Sequence, residues 1–312
     1  MSMSASGLLA GTVSPFEELL GYEYLYSKKG SSLKTISEAT FQRSVLPSEA
    51  AREEQGLLHE DDEVYNKVKE FITNVVLEDS QFSVLVNGTY QFPSSIGEAE
   101  SPVPILYCQG DVTLFNAPSV SIVGARTASL QGMQRASKLA KDLAKGGVAI
   151  VSGLAKGIDT AALQSAIQNG GHVIGVIGTP INEAYPKENT ELQRLIAKEH
   201  LLVSQVPFYR YEHEPFNNRR WYFPQRNVTM AAISKATVIV EASDRSGTLT
   251  QANACIKQGR KLFIMRSCFD NQHITWPEKM LEKGAEILDD SQQVLDFLHS
   301  KESLSAELPD VK

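Results

Sequence analysis

The chain has 312 residues, 42% of them apolar and 21% charged, with a formal net charge of −7, proportions of a globular protein with room for one large α/β domain and a smaller attachment. No apolar run reaches membrane-spanning length, and the start, "MSMSASGLLAGTVSPFEELL", lacks the basic region and apolar core of a signal peptide, so neither a membrane protein nor a secreted one is expected. The three cysteines, Cys108, Cys255 and Cys268, form no C-x-x-C pair, which fits a reducing, cytoplasmic setting and gives no zinc or redox signature.

In chain order, "PFEELLGYEYLYSK" reads as a helix, and "LPSEAAREEQGLLHEDDEVYNKVKEFITNVV" contains another. "FSVLVNGTYQF" resembles a hairpin with Asn87-Gly88 at its turn. Residues 1–95 are therefore expected to form a small, acidic, mostly helical domain. From residue 96 to 300 short apolar strands alternate with amphipathic helices. The strands are "VSIVGA" (120–125), "VAIVSG" (148–153), "HVIGVIG" (172–178), "HLLVSQ" (200–205), "TVIVEA" (237–242) and "KLFIM" (261–265). Their continuous apolar character predicts burial on both faces. Helical runs between them stop at Gly146-Gly147 and Gly170-Gly171, good C-terminal signals. The pattern is α/β, a doubly wound, mainly parallel sheet. Residues 301–312 are expected to be a disordered tail.

The stretch 205–224, "QVPFYRYEHEPFNNRRWYFP", breaks this rhythm and reads as a long functional loop. Its aromatics interleave with Arg210, Arg219 and Arg220, which suits either base stacking with phosphate contact or an aromatic lid packed on the sheet. Charge is distributed unevenly. Residues 120–270 hold 19 Lys and Arg against 11 Asp and Glu, while the remainder holds 11 against 26. A basic core with acidic flanks points either to a polyanionic partner or to flanks that merely aid solubility, and the acidic N-terminal segment is a candidate competitor for the basic rim.

Ligands of an open parallel sheet bind beyond the carboxyl ends of its strands. Those ends carry Gly124, Arg126 and Ser129; Ser152, Gly153, Lys156, Gly157 and Asp159; Lys187; and Ser246, Gly247 and Thr248. Glycine turns opening helices, with arginine and lysine nearby, make an anion site. Asp159 alternatively complements its own helix dipole, and Glu241 serves either as a base or as a structural acceptor. No H-E-x-x-H, G-x-S-x-G or close His/Cys/Asp set appears, so neither a catalytic residue nor a metal or other cofactor is expected.

Together "SIVGARTASLQG", "VAIVSGLAKGIDTAALQSAIQNGGHVIGVIGT", "YPKEN", "YFPQRN" and "TVIVEASDRSGTLTQANACIKQGRKLFIM" resemble the DNA-processing protein A (DprA/Smf) family over residues 95–270. The resemblance implies an extended Rossmann-like fold and single-stranded DNA binding in natural transformation and recombination. It also implies a RecA-type recombinase as partner, homodimerisation and no hydrolysis. It carries over Arg126, the turn Gly153–Asp159 with Lys156, Lys187, the "FP-x-RN" element at Phe223, Pro224, Arg226 and Asn227, and the turn Ser246–Leu249. Departures are Leu163 in place of a usual histidine, Gln205 in place of glutamate, and "GTPINEAYP" in place of a glycine-rich "GTGLD". No winged-helix domain is expected after the sheet. The alternative is a nucleotide-derived ligand sensor or a nucleoside-monophosphate phosphoribohydrolase. The latter needs an acid one helical turn after the turn threonine, and Gln251 is there instead.

Overall fold

The computed structural model describes residues 13–56, 62–76, 81–97, 99 and 102–300; the expected tail lies outside the described residues. Four helices come first: α1 (Pro15–Ser27), α2 (Leu33–Thr40), α3 (Pro47–Gln55) and α4 (Glu63–Phe71). Local chemistry starts them. Ser14 caps α1, with Pro15 at its first position, Ser32 and Thr35 form a capping box on α2, and the Asp62 carboxylate accepts from Val64 and Tyr65 on α4. Residues Glu18 to Tyr26 of α1 are all buried, as expected of a helix that is covered on every side.

One nine-stranded sheet follows. Its strands are β1 (Ser83–Val86), β2 (Ile105–Gly110), β3 (Ser119–Val123), β4 (Ala149–Ser152), β5 (Val173–Ile177), β6 (Leu201–Ser204), β7 (Ala236–Ile239), β8 (Lys261–Met265) and β9 (Glu286–Leu288). They lie in the order β1-β2-β6-β5-β4-β3-β7-β8-β9. β1 and β2 pair antiparallel, as do β2 and β6, and every other pair is parallel. All six expected strands form. The helices are α5 (Ser94–Gly97), α6 (Leu130–Lys145), α7 (Ile158–Gln168), α8 (Thr190–Glu199), α9 (Phe208–His213), α10 (Phe216–Arg219), α11 (Tyr222–Ile233), α12 (Thr248–Lys257), α13 (Trp276–Leu281) and α14 (Ser291–His299). Side chains from α1, α6, α7 and α8 fill the core on one face of the sheet, and those from α11, α12 and α13 fill it on the other. This is the doubly wound, Rossmann-like α/β layer that the strand pattern predicts.

Two expectations are corrected. The hairpin at Asn87-Gly88 forms only its first strand. Val86 pairs with Ile105 instead, the Asn87 amide donates to the Val103 carbonyl, and Gly88 turns the chain at φ +94° into α5. β2 offers a longer apolar ladder than "TYQF", in which Tyr90 is exposed. The segment 1–95 thus contributes an edge strand to the sheet. The stretch 205–224 is not an irregular loop either. It forms α9, α10 and the start of α11, with Pro207 and Pro215 at the N-caps of the two short helices.

α1 also ties that stretch down. The buried Glu23 carboxylate accepts from Tyr107 Oη (2.7 Å) and from the first backbone N–H groups of α9, Phe208 (2.9 Å) and Tyr209 (3.0 Å). Tyr22 Oη donates to the Gln205 carbonyl, and Arg210 Nη1 donates to the carbonyls of Tyr26 and Lys28.

Candidate nucleic-acid interface

Strand order locates the site. β4 lies on one side of β3 and β7 on the other, so the connections leaving β3 and β7 diverge to opposite faces and open a crevice at their carboxyl ends. A cavity of about 1150 Å³ opens there. Its walls come from Val123–Thr127 after β3, Val240–Ser243 after β7, the start of α12 and the α10–α11 stretch.

Of the residues expected at the site, Gly124, Arg126, Ser129, Asp159, Phe223, Arg226, Asn227, Ser246, Gly247 and Thr248 line this cavity. Arg126 is exposed, and its guanidinium lies 5.5 Å from the centre of the Phe223 ring. That ring is seated on Gly178, where an added Cβ would come within 2.6 Å of Phe223 Cδ1, and Tyr185 lies 5.5 Å away. Arginine over an aromatic face leaves its N–H fork free for phosphate. Ser246 Oγ accepts from the Thr248 N–H, Thr248 Oγ1 donates to the Gly124 carbonyl, and the Asn227 amide donates to the Gly247 carbonyl. These bonds fix the start of α12 on the cavity wall.

Ser152, Gly153, Lys156, Gly157 and Lys187 are not among the lining residues. The turn Gly153–Gly157 closes on itself rather than around an anion. Gly153 N–H donates to Asp159 Oδ2 at 3.1 Å, and Ile158 N–H donates to the Ala125 carbonyl. Ser152 Oγ donates to the Ile122 carbonyl at 2.7 Å. Gly157 has φ +77°, and a Cβ there would lie 2.4 Å from the Ala125 oxygen. Gly157 is thus required by close backbone approach, and Gly153 by the Arg226 guanidinium, which a Cβ there would meet at 2.1 Å. Lys156 Nζ pairs with Glu188 at 2.5 Å on the surface, and Lys187 is exposed nearby.

Arg226 and Asp159 form the floor. Both are buried. Arg226 donates to the Gly153 carbonyl at 2.6 Å, to the Val176 carbonyl and to Asn227 Oδ1. Burial holds the Arg226 guanidinium down to about 10, with the Asp159 carboxylate opposing. Burial likewise raises Asp159, and Arg226 pulls it back. This pair is a buried brace between β4, β5, α7 and α11.

Glu241 is a structural acceptor. Its carboxylate takes Ser129 N–H at 2.9 Å and Ser129 Oγ at 2.6 Å at the start of α6. It is seated close to Gly132, where a Cβ would come within 2.2 Å of Oε2. The favourable anion position of α6 is therefore taken by the chain itself.

The expected site residues did not include Arg135, Arg219 and Arg220, which also line the cavity, along with Tyr185 and Phe216. Arg135 sits on α6 six residues after its N-cap Ser129, not at the i+3 or i+4 spacing that puts side chains on one face, so helical phase gave no signal for it. The signal for Arg219 and Arg220 was the aromatic-arginine composition of 205–224. Among the described residues, none before Val123 lines the cavity.

The family model described as DNA recombination-mediator protein A matches residues 83–299. The DNA processing protein DprA of Streptococcus pneumoniae is 34% identical over 204 residues, 65% of this chain and 70% of that protein. That of Bacillus subtilis is 31% identical over 209 residues, 67% and 68% of the two chains. The solved Streptococcus pneumoniae structure aligns with a TM-score of 0.71 at 28% identity, covering 88% of this chain and 97% of the other. A structure of DNA processing protein A from Helicobacter pylori, described for its single-stranded DNA binding mode, aligns at 0.59 with 28% identity, covering 70% and 96%. With the strand order, the switch-point cavity and the family match in agreement, this chain belongs to the DNA recombination-mediator protein A (DprA/Smf) family.

Proposed function

We propose that the switch-point cavity binds single-stranded DNA and that the protein acts in DNA uptake and recombination as a binding protein rather than an enzyme. The observation that carries this is the convergence of Arg126, Arg135, Arg219 and Arg220 with the rings of Phe223, Tyr185 and Phe216 around one cavity. Two of the three acids there, Asp159 and Glu241, are spent on backbone N–H groups. Arginines track phosphates and rings stack bases without reading sequence. The Helicobacter pylori relative, with its single-stranded DNA binding mode, supports the same reading. Handover to a RecA-type recombinase and homodimerisation in the cytoplasm belong to the proposal as the family resemblance implies them.

The test is oligonucleotide binding across a salt series. Contact with about 3–5 phosphates gives a slope of log K against log salt of roughly −2 to −3.5. Arg126→Ala weakens binding several-fold and flattens the slope by about 0.7, whereas Lys156→Ala, already neutralised by Glu188, changes it little. No binding at low salt sinks the proposal.

A second reading, a nucleotide-derived ligand, is favoured by Gln251. It lines the cavity at 1% exposure, and its Oε1 has no hydrogen-bond partner among the described residues. Thermal-shift screening of nucleoside monophosphates separates the two readings.

A further inference from the structure

The α9–α10–α11 stretch presents two large rings to solvent, Phe216 at 82% and Trp221 at 65% exposure. Burying such rings is worth a few kcal/mol, so a chain that leaves two of them bare within six residues leaves them unpartnered. They do not sit on a loose loop. Arg219 lies 4.5 Å from the centre of the Tyr211 ring and donates to the carbonyls of Glu212 and Glu214. Tyr222 Oη and Arg210 both bond the Glu214 carboxylate. The backbone between the rings is closed by Asn218 N–H on the Pro215 carbonyl and Trp221 N–H on the Asn218 carbonyl. The scaffold is rigid and its charges are paired internally. Arg220, between the rings, is exposed and makes no side-chain hydrogen bond or ion pair among the described residues. Phe216 and Arg220 also line the switch-point cavity, so the rings continue that site outward.

We infer that Phe216 and Trp221 form a stacking platform for bases of the single strand that flank those held at the cavity, with Arg220 on the intervening phosphate. This rests on the single-stranded DNA reading and extends it. The occupant is fixed by charge and continuity: the platform adjoins a cavity lined by arginines, so what reaches it from there is a polyanion carrying flat apolar groups. Rings held in place lose little entropy on binding, and base–aromatic stacking is tolerant of sequence.

The chain has two tryptophans. Trp276 is buried and donates to the Ala242 carbonyl, so the long-wavelength emission belongs to Trp221. Oligothymidylate of about 20 nucleotides is expected to quench that emission in the full chain, and Trp221→Phe to remove the red-shifted signal. Phe216→Ala with Trp221→Ala is expected to weaken binding at least about tenfold while leaving the salt slope unchanged, because neither ring carries charge. Thermal melting, unchanged for these exposed positions, verifies the fold. Wild-type binding with no quench and with the double variant within twofold overturns the platform but leaves the cavity reading standing. No wild-type binding at all overturns both. If the double variant altered only the sedimentation of the free protein, the rings would cover a second copy of the chain and the DNA assignment would fall.

Discussion

Arg126 and Arg226 are two arginines of one cavity with opposite roles, and burial separates them. Arg226 is enclosed, and its donors are taken by the Gly153 and Val176 carbonyls. Removing it leaves two buried carbonyl acceptors unpaired and the buried Asp159 carboxylate without its counter-charge. Arg226→Ala should therefore cost about 3–5 kcal/mol of stability, read as a fall in the denaturant midpoint. Arg126→Ala should leave the midpoint within about 0.5 kcal/mol and act on DNA affinity alone. Gly157 is decided by its backbone. At φ +77° with the Ala125 oxygen in the way, Gly157→Ala should destabilise by about 1–3 kcal/mol. A variant as stable as wild type would show that the turn yields more easily than its contacts imply.

Among the elements, the first turn of α6 is the most informative. A glycine turn opening a helix after the first strand of such a sheet normally marks an anion position, yet here Glu241 occupies it. Glu241→Gln keeps an acceptor for Ser129 while removing a negative charge from the cavity wall. Oligonucleotide affinity at low salt should rise by a few-fold, equivalent to roughly 0.5–1 kcal/mol, at a small loss of thermal stability. Unchanged affinity would place the strand away from the start of α6. The α9–α11 stretch escaped a helix assignment from sequence because its helices are too short for periodicity to register, α9 spanning six residues and α10 four. Their positions come from Glu23, Tyr22 and Arg210, long-range partners invisible to any local window.

In the whole molecule, the N-terminal helices and the Rossmann-like sheet form one packed body joined at Glu23. Burial pushes this carboxyl from its ordinary 4.5 to about 7, against the bonds from Tyr107, Phe208 and Tyr209 that favour its charged form. Between those two values the unfolded chain has released a proton that the folded chain retains. As far as this group is concerned, stability should therefore be highest at and below about pH 4.5, decline by roughly 3 kcal/mol as pH rises to 7, and then level off. Denaturation curves across that range, compared with Glu23→Gln, isolate the contribution. A wild-type curve parallel to that of the variant would remove Glu23 as its source. Glu23→Ala, which leaves the buried donors of Tyr107 and Phe208 and the half-buried Tyr209 N–H unpaired, should unfold more readily at every pH. Among the described residues, no helix is long and apolar enough to cross a membrane.

The sequence alone determined the alternation of buried strands and amphipathic helices, the glycine-ended turns, and the combination of motifs that carries the family. These are local or near-local signals: apolar runs covered on both faces, and backbone positions such as Gly157 that admit no side chain. It also brought Arg126 and the Ser246–Thr248 turn to one cavity, because strand ends in a parallel sheet lie together, and the family motif added Phe223. Tertiary structure decided the rest. Whether a charged group serves a ligand or the fold depends on which backbone atoms face it across the sheet, and that turned Arg226, Asp159 and Glu241 inward. Lys156 was neutralised by Glu188, 32 residues further along. The same long-range contacts carried β1 into the sheet and shaped 205–224 into a braced ledge with two exposed rings, since only packing determines which apolar groups find partners.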